Sequence, residues 1–174
     1  MKPFLILVIA ALGGCATSLD GERYADQLPA FDLFDFFEGD VRAWGIVQNR
    51  SGEVTQRFQV AIEGQVSGDE LRLSETFTYL QGQGIENRVW TIQRNYDGTF
   101  SGGASDISGK AEGMSYGNAF RWTYEMSLPL GERTYDVKFD DWIFALGEDQ
   151  ILNRSYIQKF GVDVAAVTLF MTRQ

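Results

Sequence analysis

The chain contains no histidine. Histidine is the side chain whose ordinary pKa lies near neutral pH, so serine hydrolase triads, cysteine–histidine pairs and histidine metal sites cannot be built here. A phosphate-binding glycine loop is also missing, because Gly102 and Gly103 lie among short strand-like segments and not between a strand and a helix. We therefore predict that the protein is not an enzyme and uses no cofactor or metal. An enzyme that works with carboxylates alone remains an alternative.

Basic residues are few: 15 Lys and Arg stand against 24 Asp and Glu, and the formal net charge is −9. Proteins that bind a phosphate backbone depend on Lys and Arg to release its counterions. We therefore predict no nucleic-acid partner.

Cysteine occurs once, at Cys15, so no internal disulfide can form. It follows Leu12-Gly-Gly, which itself follows Lys2 and an apolar run from Phe4 to Leu12. A run of about nine residues is too short to span a bilayer, which takes roughly 20 in a helix. The segment resembles the lipobox of bacterial lipoproteins. It predicts a signal peptide over residues 1–14 and lipidation of Cys15.

Similarity to the Gram-negative sorting rules implies a destination as well. Ala16 stands at the position where Asp would retain a lipoprotein in the inner membrane. We expect an outer-membrane lipoprotein that faces the periplasm and is held to the membrane by its acyl chains. Residues 15–28 are predicted to be a lipidated tether, and residues 29–174 the folded domain.

The domain begins with one short helical pattern between Pro29 and Gly39. Phe31, Phe34 and Phe37 recur at three-residue spacing, with Pro near the start and Gly at the end. This pattern predicts one short helix whose aromatic side closes the end of the domain.

After Gly39 the apolar residues alternate with polar ones, and turn residues interrupt them at short intervals. The pattern predicts an all-β fold: an antiparallel up-and-down barrel of about eight to ten strands, since closure removes exposed edges. A two-sheet sandwich is the alternative. The predicted turns are Asn49–Gly52, Val66–Asp69, Asn95–Gly98, Tyr116–Asn118, Leu130–Glu132 and Leu146–Asp149.

Four segments carry a family resemblance. They are Phe31–Gly39 leading into Trp44, Gly45–Gly52, Asp140–Trp142 and Leu152–Ser155. Together they resemble a Gram-negative lipoprotein family, domain of unknown function 3833, over nearly the whole domain. A weaker similarity links the aromatic turn and Trp44 to the lipocalins, and it implies a lipocalin-like barrel.

Several charged residues share a predicted face with apolar ones. Glu75 alternates with Leu71, Leu73, Phe77 and Tyr79, while Arg88 and Arg94 alternate with Trp90 and Ile92. An unpaired buried ion is costly, so we expect Glu75 to meet an arginine such as Arg88, or the interior to be wet. The alternative is a structural ion pair or an outward face.

The functional hypothesis places a cavity inside the barrel. Arg88, Arg94 or Arg154 would bind an anionic head group, and Trp90, Trp122 and Tyr124 would contact an apolar tail. The protein would bind or carry a small amphipathic, lipid-like ligand. The alternative is a structural or protein-interaction lipoprotein with a filled barrel, whose protein partner the sequence leaves open.

Three further expectations concern particular side chains. Asp140 and Asp141 are adjacent on a strand and should point to opposite faces, as solvated acids. Trp44, Trp122 and Trp142 should lie in the core. Trp44 could also cap the barrel floor against Arg154 or Arg173.

Overall fold

The computed structural model describes residues 17–80, 84–130 and 133–174. The predicted signal peptide, Cys15 and Ala16 lie outside the described residues, as do Gly131 and Glu132 of one predicted turn. The remaining expectations about the domain fall on residues that the structure describes.

Ten strands form one closed antiparallel barrel in which β1 pairs with β10 and every other strand pairs with its neighbours in sequence. The prediction of an up-and-down barrel is confirmed, and the two-sheet sandwich is wrong. The strands are β1 (Gly39–Asn49), β2 (Val54–Ser67), β3 (Glu70–Tyr79), β4 (Ile85–Arg94), β5 (Phe100–Gly103), β6 (Ile107–Tyr116), β7 (Ala119–Leu130), β8 (Arg133–Ala145), β9 (Gln150–Lys159) and β10 (Val162–Arg173).

Turn residues set the strand boundaries. Gly52, Gly68 and Gly98 all have positive φ within predicted turns, where a side chain would be strained. The turn between β9 and β10 was not among the predicted turns, and its Phe160 has a positive φ of 51°. The β3–β4 connection and the break between β5 and β6 were not predicted either.

The predicted short helix is α1 (Leu33–Phe37). Asp32 caps it by accepting hydrogen bonds from the backbone N–H of Phe34 at 2.8 Å and of Asp35 at 3.1 Å. Its Leu33, Phe34, Phe36 and Phe37 are buried in the core with the inward residues of the strands. We call the end that α1 covers the closed end, and the opposite one the open end.

Trp44 is not in the core. Val41 and Ala43 take the inward positions of β1, so the two-residue period turns Trp44 outward. There it is 43% exposed and stacks on Phe170, with 6.3 Å between the ring centroids. The placement of Trp44 at the barrel floor against an arginine is therefore also wrong.

Trp142 is buried, but on the outer face of β8. The chain before the barrel covers it: the 3₁₀ helix Gly21–Tyr24 brings Tyr24 to 6.0 Å from the Trp142 ring. Tyr116 stacks on Trp142 as well, at 6.1 Å. Part of the segment 15–28 thus lies against the barrel wall and forms a small second core outside it.

None of the helices in residues 17–80, 84–130 and 133–174 is long and apolar enough to cross a bilayer.

Candidate functional site

The closed half of the barrel interior is filled with aromatic rings. Phe120 lies 5.2 Å from Phe100 and 6.0 Å from Trp122, measured between ring centroids. The wall has small residues where the rings press against it, and a Cβ on Gly113 would come within 2.4 Å of the Trp122 ring. This half is a packed core, and it leaves no room for a ligand between these rings.

The open half differs, because its inward-facing apolar side chains keep part of their exposure. They pack against the core and are still only partly buried, so the open half is less completely packed than the closed half. These residues are Val47, Phe77, Tyr79, Ile107, Leu128, Tyr135, Ala165 and Val167. The mouth of a β-barrel with an apolar lining is one of the places where small-molecule sites occur.

Glu75 lies where the packed half meets the open half. It stands opposite Arg88 in the β3–β4 ladder. Burial raises the pKa of Glu75 to about 7; the positive charge of Arg88 opposes this, and the negative charges of Asp106 and Asp141 add to it. The carboxyl group is therefore close to half-protonated at neutral pH.

Asp141 is a second carboxyl group of the same interior. Burial raises its pKa to about 7, against the opposing effect of hydrogen bonds from Ser155 and Tyr124 and of the charge of Arg88. Both Glu75 and Asp141 nevertheless keep some accessible surface. Their carboxyl groups are therefore strongly desolvated, although neither residue is fully buried.

Asp140 and Asp141 point to opposite faces, as predicted, but neither is a solvated acid. Asp140 is 2% exposed and lies on the outer face. It accepts two hydrogen bonds from the guanidinium of Arg121, at 2.7 and 2.9 Å. Asp141 points inward because β8 alternates Val137, Phe139 and Asp141 on its inner face. The expectation failed because both faces of this part of β8 are covered.

Arg88 is largely neutralised by an acid that the sequence analysis did not single out. Its Nε donates to both carboxylate oxygens of Asp106, at 3.1 and 2.9 Å, and its Nη2 also contacts Asp106. The guanidinium lies 5.4 Å from the centre of the Trp90 ring. Glu75 and Arg88 are therefore neighbours, as expected, while the hydrogen bonds of Arg88 go to Asp106.

Three predicted aromatic residues meet in the interior. The Trp90 ring lies 5.9 Å from Trp122 and 5.2 Å from Tyr124, both edge to face. Tyr124 in turn stacks parallel to Phe139 at 4.8 Å. Burial raises the pKa of the Tyr124 hydroxyl well above its usual range, so this group is a neutral hydrogen-bonding partner at physiological pH.

The structure does not bring the three predicted arginines together. Arg94 lies at the closed end, where its Nη2 donates to Asp32 at 3.1 and 3.2 Å and its guanidinium lies 4.5 Å from the Phe34 ring. Arg154 points outward, because Asn153 and Ser155 take the inward positions of β9. Only Arg88 of the three stands beside Glu75.

Two residues of the site were missed. Asp141 could have been found from its alternation with Val137 and Phe139, which is the criterion that selected Glu75. Asp106 precedes β6 in a connection without a periodic pattern, so the sequence gives no indication of its contact with Arg88.

The model of a family described as a protein of unknown function (DUF3833) matches residues 9–173. The chain belongs to this family. No curated protein sequence matches it.

Solved structures resemble the DUF3833 chain in fold. The S-type phycobiliprotein lyase CPES from Guillardia theta superposes with a TM-score of 0.60 at 14% identity, covering 81% of this chain and 90% of the lyase. A redesigned β-barrel superposes with a TM-score of 0.42 at 14% identity, covering 84% of this chain and 99% of the design. At this identity the lyase shows a shared barrel fold.

No group of three potential ligand side chains in the described part of the chain is arranged to hold a metal ion.

Proposed function

We propose that this DUF3833 protein binds a small amphipathic ligand in the open half of its barrel. One observation carries the proposal: apolar side chains that face the interior keep partial exposure directly beside two desolvated carboxyl groups. A barrel with no ligand would gain stability by packing its open half as completely as its closed half. An apolar wall with a few polar groups at its base suits a ligand with an apolar body and a polar head.

The similarity to the phycobiliprotein lyase supports this proposal at the level of the fold, since a lyase acts on a substrate and this one uses the same barrel. We propose binding without catalysis for the DUF3833 chain. Its lack of histidine removes the usual base at neutral pH, its two acids with raised pKa values, Glu75 and Asp141, are assigned to ligand binding, and its single cysteine is assigned to lipidation.

The packed closed half favours a second candidate function. The aromatic core of the closed half, which extends to Trp122, makes the barrel a rigid support. A structural or protein-interaction lipoprotein would need such a support and no ligand. The two candidates differ in whether the open half is occupied in the purified protein.

We further propose that the protein is anchored through Cys15 in the outer membrane and faces the periplasm, with its open end next to the bilayer. The backbone N–H of Thr17 donates to Asp163 near the start of β10 at 2.8 Å, and Gln158 donates to the Thr17 carbonyl at 3.3 Å. Two extended residues span at most about 7 Å, so the Cys15 acyl chains would start beside this end.

Exposed apolar side chains at the same end support this orientation. Phe160, in the β9–β10 turn, is 93% exposed, and Leu80 and Ile85 flank the β3–β4 connection with 58% and 70% exposure. Apolar side chains in such positions suit contact with a lipid surface. An amphipathic molecule could then pass between membrane and barrel without crossing water.

Replacing Cys15 by serine tests the anchor. Since the hydroxyl cannot accept the diacylglycerol, we expect Cys15→Ser protein to move from the membrane fraction to the soluble fraction after cell disruption. Ser18→Ala serves as the control and should stay with the membranes. A Cys15→Ser protein that remained in the outer membrane would refute the anchor and leave the barrel proposal intact.

Placing a large side chain in the open half tests whether a ligand binds there. Val167→Trp places a large ring inside the barrel, and the matched control Val164→Trp places the same ring at an exposed position of β10. Each full-length protein is extracted in mild detergent and measured by native mass spectrometry. We expect a bound molecule on the unmodified protein and on the control, and its loss from Val167→Trp. Equal retention by all three, or a ligand-free unmodified protein, would favour the filled-barrel alternative.

A further inference from the structure

The charges around the open half do not suit the anionic head group that the arginine pattern predicted. The charged groups that act on Glu75 are Arg88, Asp106 and Asp141. Arg88 is already held by Asp106 through two of its nitrogens. Lys159, near the open end, donates to the backbone carbonyl of Asp136 at 3.2 Å. We call Glu75, Arg88, Asp106 and Asp141 the charged cluster. An anion bound in this cluster would be surrounded by more negative than positive charge.

The acceptors of the cluster, by contrast, are incompletely used. Glu75 Oε2 and Asp141 Oδ1 are both buried, and neither has a hydrogen-bond partner among residues 17–80, 84–130 and 133–174. Nearly all buried polar atoms in native proteins are hydrogen-bonded, so two unpaired carboxylate oxygens in one interior call for an explanation. They lie on opposite sides of the barrel, on β3 and β8, and are close enough for Asp141 to act on Glu75.

A bound hydrogen-bond donor would resolve this arrangement. An ammonium group brings several N–H donors and one positive charge, which matches two acceptor oxygens in a cluster with an excess of acids. Its apolar substituent would then extend toward the open end along the rings of Phe77, Tyr79 and Tyr135, which keep partial exposure. Aromatic rings are also favourable neighbours for a cation.

We propose that the ligand of the open half is an amphipathic amine whose protonated nitrogen lies between Glu75 and Asp141. This inference rests on the proposed ligand-binding function and narrows it to a chemical class.

The test compares three probes with the same chain and different head groups: octylamine, octanol and octanoate. Binding to the full-length protein in mild detergent is followed by tryptophan fluorescence. The centre of the Trp90 ring lies 5.4 Å from the guanidinium of Arg88, and Trp122 stands opposite Asp141 in the β7–β8 ladder. We expect octylamine to bind about tenfold more tightly than octanol, or better, and octanoate to bind most weakly, because hydrogen bonds to a charged group are the stronger ones.

The double variant Glu75→Gln/Asp141→Asn distinguishes the contribution of the amine head group to affinity from that of the octyl chain. It should reduce octylamine affinity about tenfold and leave octanol affinity unchanged, which also shows that the barrel is still folded. Glu63→Gln removes a charge from an exposed position of β2 and should change nothing.

The outcomes distinguish the two proposals. Octanoate that binds as well as octylamine, or an amine preference that survives the double variant, overturns the amine inference while the barrel remains a ligand carrier. Failure of all three probes to bind the unmodified protein overturns both.

Discussion

Raising the pH from about 5 to about 8 is expected to lower the free energy of unfolding by several kcal/mol, because two carboxyl groups are buried in the barrel. Burial raises the pKa of Glu75 from 4.5 to about 7 and that of Asp141 from 3.8 to about 7. Between the ordinary and the raised pKa values the folded protein binds more protons than the unfolded chain. Stability must therefore fall as the pH rises through this interval.

The magnitude follows from the size of these shifts. At about 1.4 kcal/mol for each pKa unit, protonated Glu75 alone adds about 3 kcal/mol to the free energy of unfolding relative to ionised Glu75, and Asp141 adds a similar amount. The two contributions are not additive, because the negative charge of Asp141 is itself one of the causes that raise the pKa of Glu75. The contribution is fully present below the ordinary pKa values, is lost progressively up to pH 7, and is absent at higher pH.

Urea unfolding at a series of pH values measures this effect. In Glu75→Gln/Asp141→Asn the decline between about pH 5 and about pH 8 should disappear, and the variant should be the more stable protein at the alkaline end. Glu63→Gln should keep the decline. A double variant with the same decline as the unmodified protein would show that these two groups are not its source.

Gly64→Ala is expected to lower the free energy of unfolding by about 3 kcal/mol or more, because α1 is packed against the backbone of β2. A Cβ at position 64 would stand 1.6 Å from the carbonyl oxygen of Phe37, the last residue of α1. That oxygen belongs to the backbone and cannot rotate away. The alanine would therefore push α1 from the closed end and expose the aromatic residues that it buries.

Gly103→Ala is the matched control. It makes the same change in β5, where nothing lies within 4 Å of the added Cβ. Its effect on the free energy of unfolding should stay within about 0.5 kcal/mol. Equal midpoints for the two variants would mean that α1 does not lie against Gly64 in solution.

The two-residue alternation grouped the residues of β3 and β7 by face, but it left open which face points inward. Glu75 shares its alternation with Phe77, and Trp122 with Tyr124, and in the structure these residues face the barrel interior. The alternation gave the wrong face for Trp44 in β1. Trp44 and Ile46 are as apolar as the inward Val41 and Ala43, so neither face of this strand is clearly polar. The alternation was also misleading for Arg154. The polar residues Asn153 and Ser155 take the inward positions of β9, so Arg154 points outward.

The alternation of apolar and polar residues, the turn glycines and the aromatic spacing before Gly39 determined most of the strands and the short helix, because these depend on local periods of two and three residues. They did not decide between a closed barrel and a two-sheet sandwich, because closure depends on the pairing of β1 with the distant β10. Only the tertiary structure decided which ions meet. Arg88 on β4 donates hydrogen bonds to Asp106 in the β5–β6 connection. Asp141 on β8 acts on the pKa of Glu75, which lies on β3 at the opposite side of the barrel. Such pairings depend on how the closed sheet brings distant strands together, and no local period in the chain encodes that arrangement.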